Sequence, residues 1–244
     1  MERVRTGVAG LDELIEGGIP KGSVVLISGS PGTGKTIFAL QFLVEGIRNG
    51  EKALYISFEE NRLAITDQAR QFGWDLEKLE KGGKLKIACF NMPKTSVVNV
   101  NAEMEQVAKA VKPDRVVVDS LSVLLVYLEM SSRLELASQA GMSVDKANNF
   151  ISEEAATRAS VLTTIANIRS WGGTSLLTAE MPETANYLSR DTISSFVADG
   201  VIKVSWLEAL GKRSLAVKKM RSTNNVLEPR SFSIGPKGII VEKE

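Results

Sequence analysis

Gly29-Ser30-Pro31-Gly32-Thr33-Gly34-Lys35-Thr36 is the segment of this 244-residue chain that leaves the fewest folds open. The pattern G-x-x-x-x-G-K-[ST] requires a strand before it and a helix after it. Only then do consecutive backbone N–H groups face one concavity beside a helix N-terminus, where the dipole favours an anion. Both flanks meet the requirement. Ser23 to Ser28 is a short apolar run, read as a buried strand. Lys35 to Arg48 carries Ile37, Leu40, Phe42, Leu43, Val44 and Ile47 at helical spacing, and Asn49-Gly50 stops it. In that setting Ser30, Pro31, Gly32, Thr33 and Gly34 form a phosphate cradle. Lys35 reaches the β- and γ-phosphates of a nucleotide, and the Thr36 hydroxyl is placed for Mg²⁺. A plain glycine-rich turn is the competing reading, and the flanking strand and helix argue against it.

The rest of the chain extends the alternation of strand and helix, which predicts an α/β fold with a mainly parallel twisted sheet. Expected strands are Ala53 to Ser57, Lys84 to Cys89, Arg115 to Asp119 and Thr174 to Ala179. Expected helices are Arg62 to Phe72 and Ala102 to Val111, the latter ended by Lys112-Pro113. Ser132 with Glu135 has the spacing of a capping box, so a short helix is expected to start there and to end at Gly141. A longer helix is expected from about Ser143 to Ser170, on a stripe that includes Leu162, Ile165 and Ile168. Beyond Gly200 short strands joined by turns at Leu210-Gly211, Gly235-Pro236 and Lys237-Gly238 predict C-terminal β-hairpins. With no repeat and no linker, one domain over 1–244 is expected.

Two acidic features fall where ligands gather in open α/β sheets, at the carboxyl ends of strands. Asp119 ends the apolar strand Val116-Val117-Val118 and is expected to hold the metal with Thr36. Glu59 and Glu60 follow the second strand. One of them could orient or deprotonate an attacking water, since mutual repulsion raises a carboxyl toward the range of a base, with Glu59 slightly ahead. A helix cap and a solvated acidic loop are the plainer alternatives.

Composition removes whole classes. No histidine is present, which excludes His general bases and His-containing zinc sites. Cys89 is the only cysteine, so no intrachain disulfide forms and a reducing cytoplasm is expected. The net charge of +1 gives no long-range pull toward nucleic acid or anionic lipid. No apolar run approaches the ~20 residues of a membrane span.

Taken together, the motifs resemble one family. Thr6-Gly-Val-Ala-Gly-Leu-Asp-Glu-Leu14, Gly17-Gly-Ile-Pro-Lys-Gly22, Tyr55-Ile-Ser-Phe-Glu-Glu60, Gln71-Phe-Gly-Trp74, Val117-Val-Asp-Ser120, Phe196-Val-Ala-Asp-Gly200 and Lys219-Met-Arg-Ser-Thr223 run in order along nearly the whole chain. They are similar to the KaiC-like ATPases of the RecA superfamily, in a single-domain form of archaeal type. The resemblance implies a RecA-type P-loop core, ATP with Mg²⁺, and a ring, usually a hexamer, with nucleotide between neighbours. It also implies that Glu59 and Glu60 are the catalytic pair, and that Lys219 and Arg221 reach the nucleotide of the adjacent subunit. Ser222 and Asn225 stand where family members often carry Gly and His, so the turn after the two cations departs from the pattern. KaiC, the clock protein of this family, has two ATPase domains, so its phosphorylation cycle does not transfer to one, and autokinase activity is kept as an alternative beside ATP hydrolysis.

The stretch 130–160 is longer than the family pattern and is expected to be either an inserted helical hairpin or additional core helix. Met181 to Asp191 stands where RecA-type proteins face DNA, but Arg190 is offset there by Glu180, Glu183 and Asp191, a poor balance for phosphate. The leading reading is a slow, cytoplasmic, ring-forming Mg-dependent ATPase that regulates a protein partner. A DNA recombination or repair paralogue and a nucleotide-gated scaffold with little hydrolysis are the alternatives.

Overall fold

The computed structural model describes residues 1–90, 100–139, 153–181, 188–189, 191, 193–207 and 211–242. Strands β1 (Arg3–Val4) and β2 (Ile19–Pro20) pair into a small antiparallel ribbon. The remaining strands are β3 (Val24–Gly29), β4 (Ala53–Ser57), β5 (Leu85–Cys89), β6 (Arg115–Asp119), β7 (Thr174–Glu180), β8 (Gly200–Leu207), β9 (Lys212–Met220), β10 (Arg230–Gly235) and β11 (Gly238–Val241). They form one nine-stranded sheet in the order β11-β10-β9-β8-β3-β7-β6-β4-β5. From β8 to β5 neighbours run parallel, whereas β8 to β11 form an antiparallel meander. The helices are α1 (Lys35–Arg48), α2 (Arg62–Arg70), α3 (Leu76–Lys81), α4 (Val100–Val111), α5 (Leu121–Gln139), α6 (Glu153–Ser170) and the single turn α7 (Ser194–Val197). Among the described residues, no helix is long and apolar enough to cross a membrane.

The central strands are apolar on both faces because each face has its own core. Val25 and Ile27 of β3 point to a core built with Phe38, Phe42 and Leu43 of α1. Val24 and Leu26 point to the other, with Met104, Leu124, Val161 and Ile165 from α4, α5 and α6. The C-terminal hairpin is tied to α1 by the buried Gln41. Its amide donates to the carbonyls of Gly7 (2.6 Å) and Ile239 (3.2 Å) and accepts from the Ile239 N–H (2.7 Å).

Two expectations change. The helix expected to begin at Ser132 begins at Leu121, directly after β6. Leu121, Leu124, Leu125 and Leu128 are buried against the sheet, so position 132 already lies inside a helix. A capping box acts only where the first turn has unpaired N–H groups, and none are free there. The stripe on α6 is also displaced. Val161, Thr164, Ile165 and Ile168 are buried, while Leu162 is 46% exposed. Gly141 and the expected helix start near Ser143 lie outside the described residues, as does the centre of the 130–160 segment.

Candidate nucleotide site

The loop after β3 closes on itself: the Thr33 hydroxyl donates to the Ser30 carbonyl (2.8 Å), and Lys35 Nζ donates to the carbonyls of Gly29 and Ser30 (both 3.0 Å). Helix α1 starts from Gly34, whose φ of 101° is open to glycine and strained for other residues. No side chain caps this helix start. Its first N–H groups therefore remain available to an anionic ligand, and the dipole adds to the attraction. Pro31, Gly32, Gly34, Lys35 and Thr36 line a cavity of about 370 Å³, together with Glu59, Glu60, Asp119, Ser120 and Glu180.

Asp119 sits at the carboxyl end of β6 and is 7% exposed. One carboxylate oxygen accepts from the Thr36 hydroxyl (2.9 Å) and from the Tyr55 phenol (2.6 Å), and the other accepts from the Thr178 hydroxyl. The Thr36–Asp119 contact brings together two groups 83 positions apart, as both motifs require. Magnesium favours octahedral oxygen ligation and is held by one or two carboxylates, water and phosphate. A hydroxyl and a single carboxylate beside a phosphate cradle suit that ion. Among the described residues no group of three acidic or sulfur ligands forms a metal cage, and this mode of binding needs none.

Glu59 and Glu60 leave the end of β4 on a tight turn. Ser57 clamps it by donating to the Glu60 carbonyl (2.7 Å) and accepting the Glu60 N–H (3.0 Å). Phe58, between strand and turn, stacks on Phe90 at 5.3 Å and meets Tyr127 edge-on at 5.6 Å, which fixes the direction of the turn. Both carboxyls stand at the cavity rim. Desolvation raises the pKa of Glu59, aided by Asp119 and Glu180 and opposed by a hydrogen bond from Ser120. Desolvation also raises Glu60, with Asp119 and Glu59 adding repulsion. Burial lowers the Lys35 ammonium, against the pull of Glu180, Asp119 and Glu59.

Lys219 and Arg221 lie elsewhere. Gly200 of β8 pairs with both Val25 and Met220, so this end of β9 is level with the start of β3. Gly29 is four residues further along β3, about 13 Å at ~3.3 Å per residue. Lys219 spends its three donors on the carbonyls of Ser195 (3.2 Å), Phe196 (2.8 Å) and Ala198 (2.6 Å). Arg221 pairs with Asp199 (2.9 Å), which also binds Arg169 (2.9 Å) and the Val24 N–H (3.0 Å). Burial and the neighbouring Arg221 lower the Lys219 pKa, with Asp199 opposing. Arg190 lies outside the described residues, with most of the loop around it.

Several contributors were not singled out in the sequence. Arg213 on β9 stacks on Trp206 (4.2 Å to the ring centre), lines the cavity with Ile234 and approaches the Gly32 carbonyl at 3.4 Å. Glu180, Tyr55, Thr178 and Asp199 complete the set. A signal existed for Tyr55, since a phenol in a strand buried on both faces needs a partner for its hydroxyl.

The chain is similar to known proteins over nearly its whole length. A family model described as "ATPase: KaiC" matches residues 4–140 and 128–244. A UPF0273 protein of Thermotoga maritima is 32% identical over 245 residues, covering 99% of this chain and 96% of that one. The circadian clock protein KaiC3 of Synechocystis is 33% identical over 248 residues, and the match spans 46% of its length. The crystal structure of a KaiC-like protein from Pyrococcus horikoshii superposes with a TM-score of 0.80 at 34% identity, covering 99% of both chains. Matched over nearly its whole length by that family model and by relatives above 30% identity, the chain belongs to the KaiC ATPase family.

Proposed function

We propose that the protein binds Mg-ATP in this cavity and hydrolyses it slowly at interfaces between identical subunits. The observation that carries the reading is the convergence of Lys35, Thr36, Asp119, Glu59 and Glu60 on one cavity beside the uncapped start of α1. Backbone N–H groups of the loop and Lys35 bind the phosphates, and Thr36 with Asp119 would hold Mg²⁺. When bound, the ion neutralises charge on the phosphate oxygens. Glu59, raised by its surroundings and hydrogen-bonded to Ser120, orients a water and takes its proton as the water oxygen bonds to the γ-phosphorus. The bond from that phosphorus to the β–γ bridging oxygen breaks, and ADP and phosphate leave.

The subunit-interface part rests on distance. Lys219 and Arg221 stand at the sheet end opposite their own P-loop, out of reach of the nucleotide it would hold. Their charge serves phosphoryl transfer only on a neighbouring chain, which a closed ring of identical subunits supplies. A single ATPase domain of this kind, acting as a ring-forming regulator of a protein partner, is the role that best suits the site.

Steady-state turnover with Mg²⁺ and ATP, with and without single-stranded DNA, tests the reading. Expected is turnover below about 1 s⁻¹, the low end of ordinary enzymes, unchanged by DNA. Clear stimulation would favour a recombination paralogue, and bound ATP without turnover would favour a scaffold. Arg221→Glu should abolish turnover while ATP stays bound. Mixing it with Lys35→Ala chains should restore part of the rate, because each supplies what the other lacks. No recovery in the mixture would refute the shared site.

A further inference from the structure

Tyr55 carries an aromatic hydroxyl whose contact leads from the apolar core to the metal-facing carboxylate. It is 1% exposed and packs among Ile65, Val117 and Leu176, yet its phenol donates to Asp119 at 2.6 Å. On the neighbouring strand Thr178, fully buried, donates to the other oxygen of the same carboxylate at 2.5 Å. Strand order explains the convergence: β6 lies between β4 and β7, so the two residues approach Asp119 from opposite sides.

From this geometry we infer that Tyr55 and Thr178 are positioning residues that hold Asp119 for the magnesium of the bound nucleotide, setting the affinity for the ion and not for the nucleotide itself. The inference rests on the Mg-nucleotide reading above. A carboxylate offers about four acceptor positions. Tyr55, Thr178 and Thr36 occupy three, which locks both rotation and tilt of the group and leaves about one for the ion's hydration shell. Thr36 can donate to Asp119 while its oxygen lone pairs face the ion. Neither Tyr55 nor Thr178 lines the nucleotide cavity, so their influence on a ligand there passes through Asp119.

Partners that orient a metal ligand typically change metal affinity 10–100-fold when removed. Tyr55→Phe keeps the ring and deletes the donor; Thr178→Val does the same on the other side, and Thr178→Ser keeps the hydroxyl. The full-length protein is titrated with Mg²⁺ at fixed fluorescent ATP analogue, and Mn²⁺ uptake is followed by electron paramagnetic resonance. Expected is a Mg²⁺ midpoint raised about tenfold or more in Tyr55→Phe and in Thr178→Val, and near wild type in Thr178→Ser, with analogue binding in EDTA unchanged. A loss of melting temperature with an unmoved Mg²⁺ midpoint would make both residues merely structural and overturn the inference. If the wild-type protein binds the analogue without any response to Mg²⁺, the underlying reading fails and takes the inference with it. Should one variant fail to fold, the other still decides, because the two donors sit on different strands.

Discussion

Gly46 occupies the last turn of α1, where exchanging glycine for alanine ordinarily stabilises a helix by about 1 kcal/mol. Here the sign should reverse. A Cβ at Gly46 would sit 2.3 Å from Arg115 Nε, 2.4 Å from Arg115 Cδ and 2.6 Å from Glu51 Oε2. Arg115 is 1% exposed and opens β6. It donates to the carbonyls of Arg5 (2.6 Å) and Phe42 (2.8 Å), pairs with Glu51 and lies 4.5 Å from the centre of the Phe42 ring. The methyl group must displace the guanidinium. Losing one hydrogen bond to a charged group costs ~1.5–3 kcal/mol, and overpacking adds ~1–3 kcal/mol. Against the ~1 kcal/mol of helix propensity, Gly46→Ala should destabilise by about 3 kcal/mol. For a chain of this size that lowers Tm by roughly 10 °C. Urea and thermal denaturation of Gly46→Ala, Arg115→Met and the double variant form the test. Arg115→Met alone leaves Glu51 unpaired and two carbonyls without their donor, a loss of about 3–5 kcal/mol. In that background the alanine no longer meets a guanidinium, and its effect should fall to zero or turn favourable. Wild-type stability in Gly46→Ala, or the same cost in both backgrounds, would refute the reasoning.

Two further outcomes follow from the same contacts. Glu59→Gln should lower turnover by about 10²–10⁴-fold with nucleotide still bound, and by more than Glu60→Gln; the reverse order would move the base to Glu60. Burial works to raise the Asp199 carboxyl, but the Val24 N–H, Arg169 and Arg221 together outweigh it, so its folded pKa is lowered. A lowered carboxylate stabilises the fold above its unfolded value near ~3.9, and the contribution is lost as pH falls through the folded value. Asp199→Asn should therefore cost about 1–3 kcal/mol at neutral pH, and much less once the pH has fallen below the lowered folded value. Urea unfolding of both forms across pH 2–7 measures this, and a constant difference would disprove it.

What could be read from the sequence is what a single element encodes. The P-loop has its own glycines, the strand ending at Asp119 its apolar run, and α1 its period, and each took the place expected of it. The 132–135 spacing misled because a cap signature is local, whereas the burial of Leu121 and Leu124 that extends α5 backward is not. Alternation along one strand would set Lys219 and Arg221 on one face. Yet Arg221 lies past the end of β9, and the β8–β9 register shifts between Val201 and Ile202. Their convergence comes instead from acceptors on the neighbouring segment, the carbonyls of 195–198 for Lys219 and the Asp199 carboxylate for Arg221. Tyr55 and Thr178 stand 64 and 59 positions from Asp119, and only the order β4-β6-β7 makes them its neighbours. Strand order follows from how crossovers pack and not from any local pattern. The proposed phosphate-binding half of the site is therefore written within two short segments, while the residues that hold its carboxylate still are set by the topology of the whole sheet.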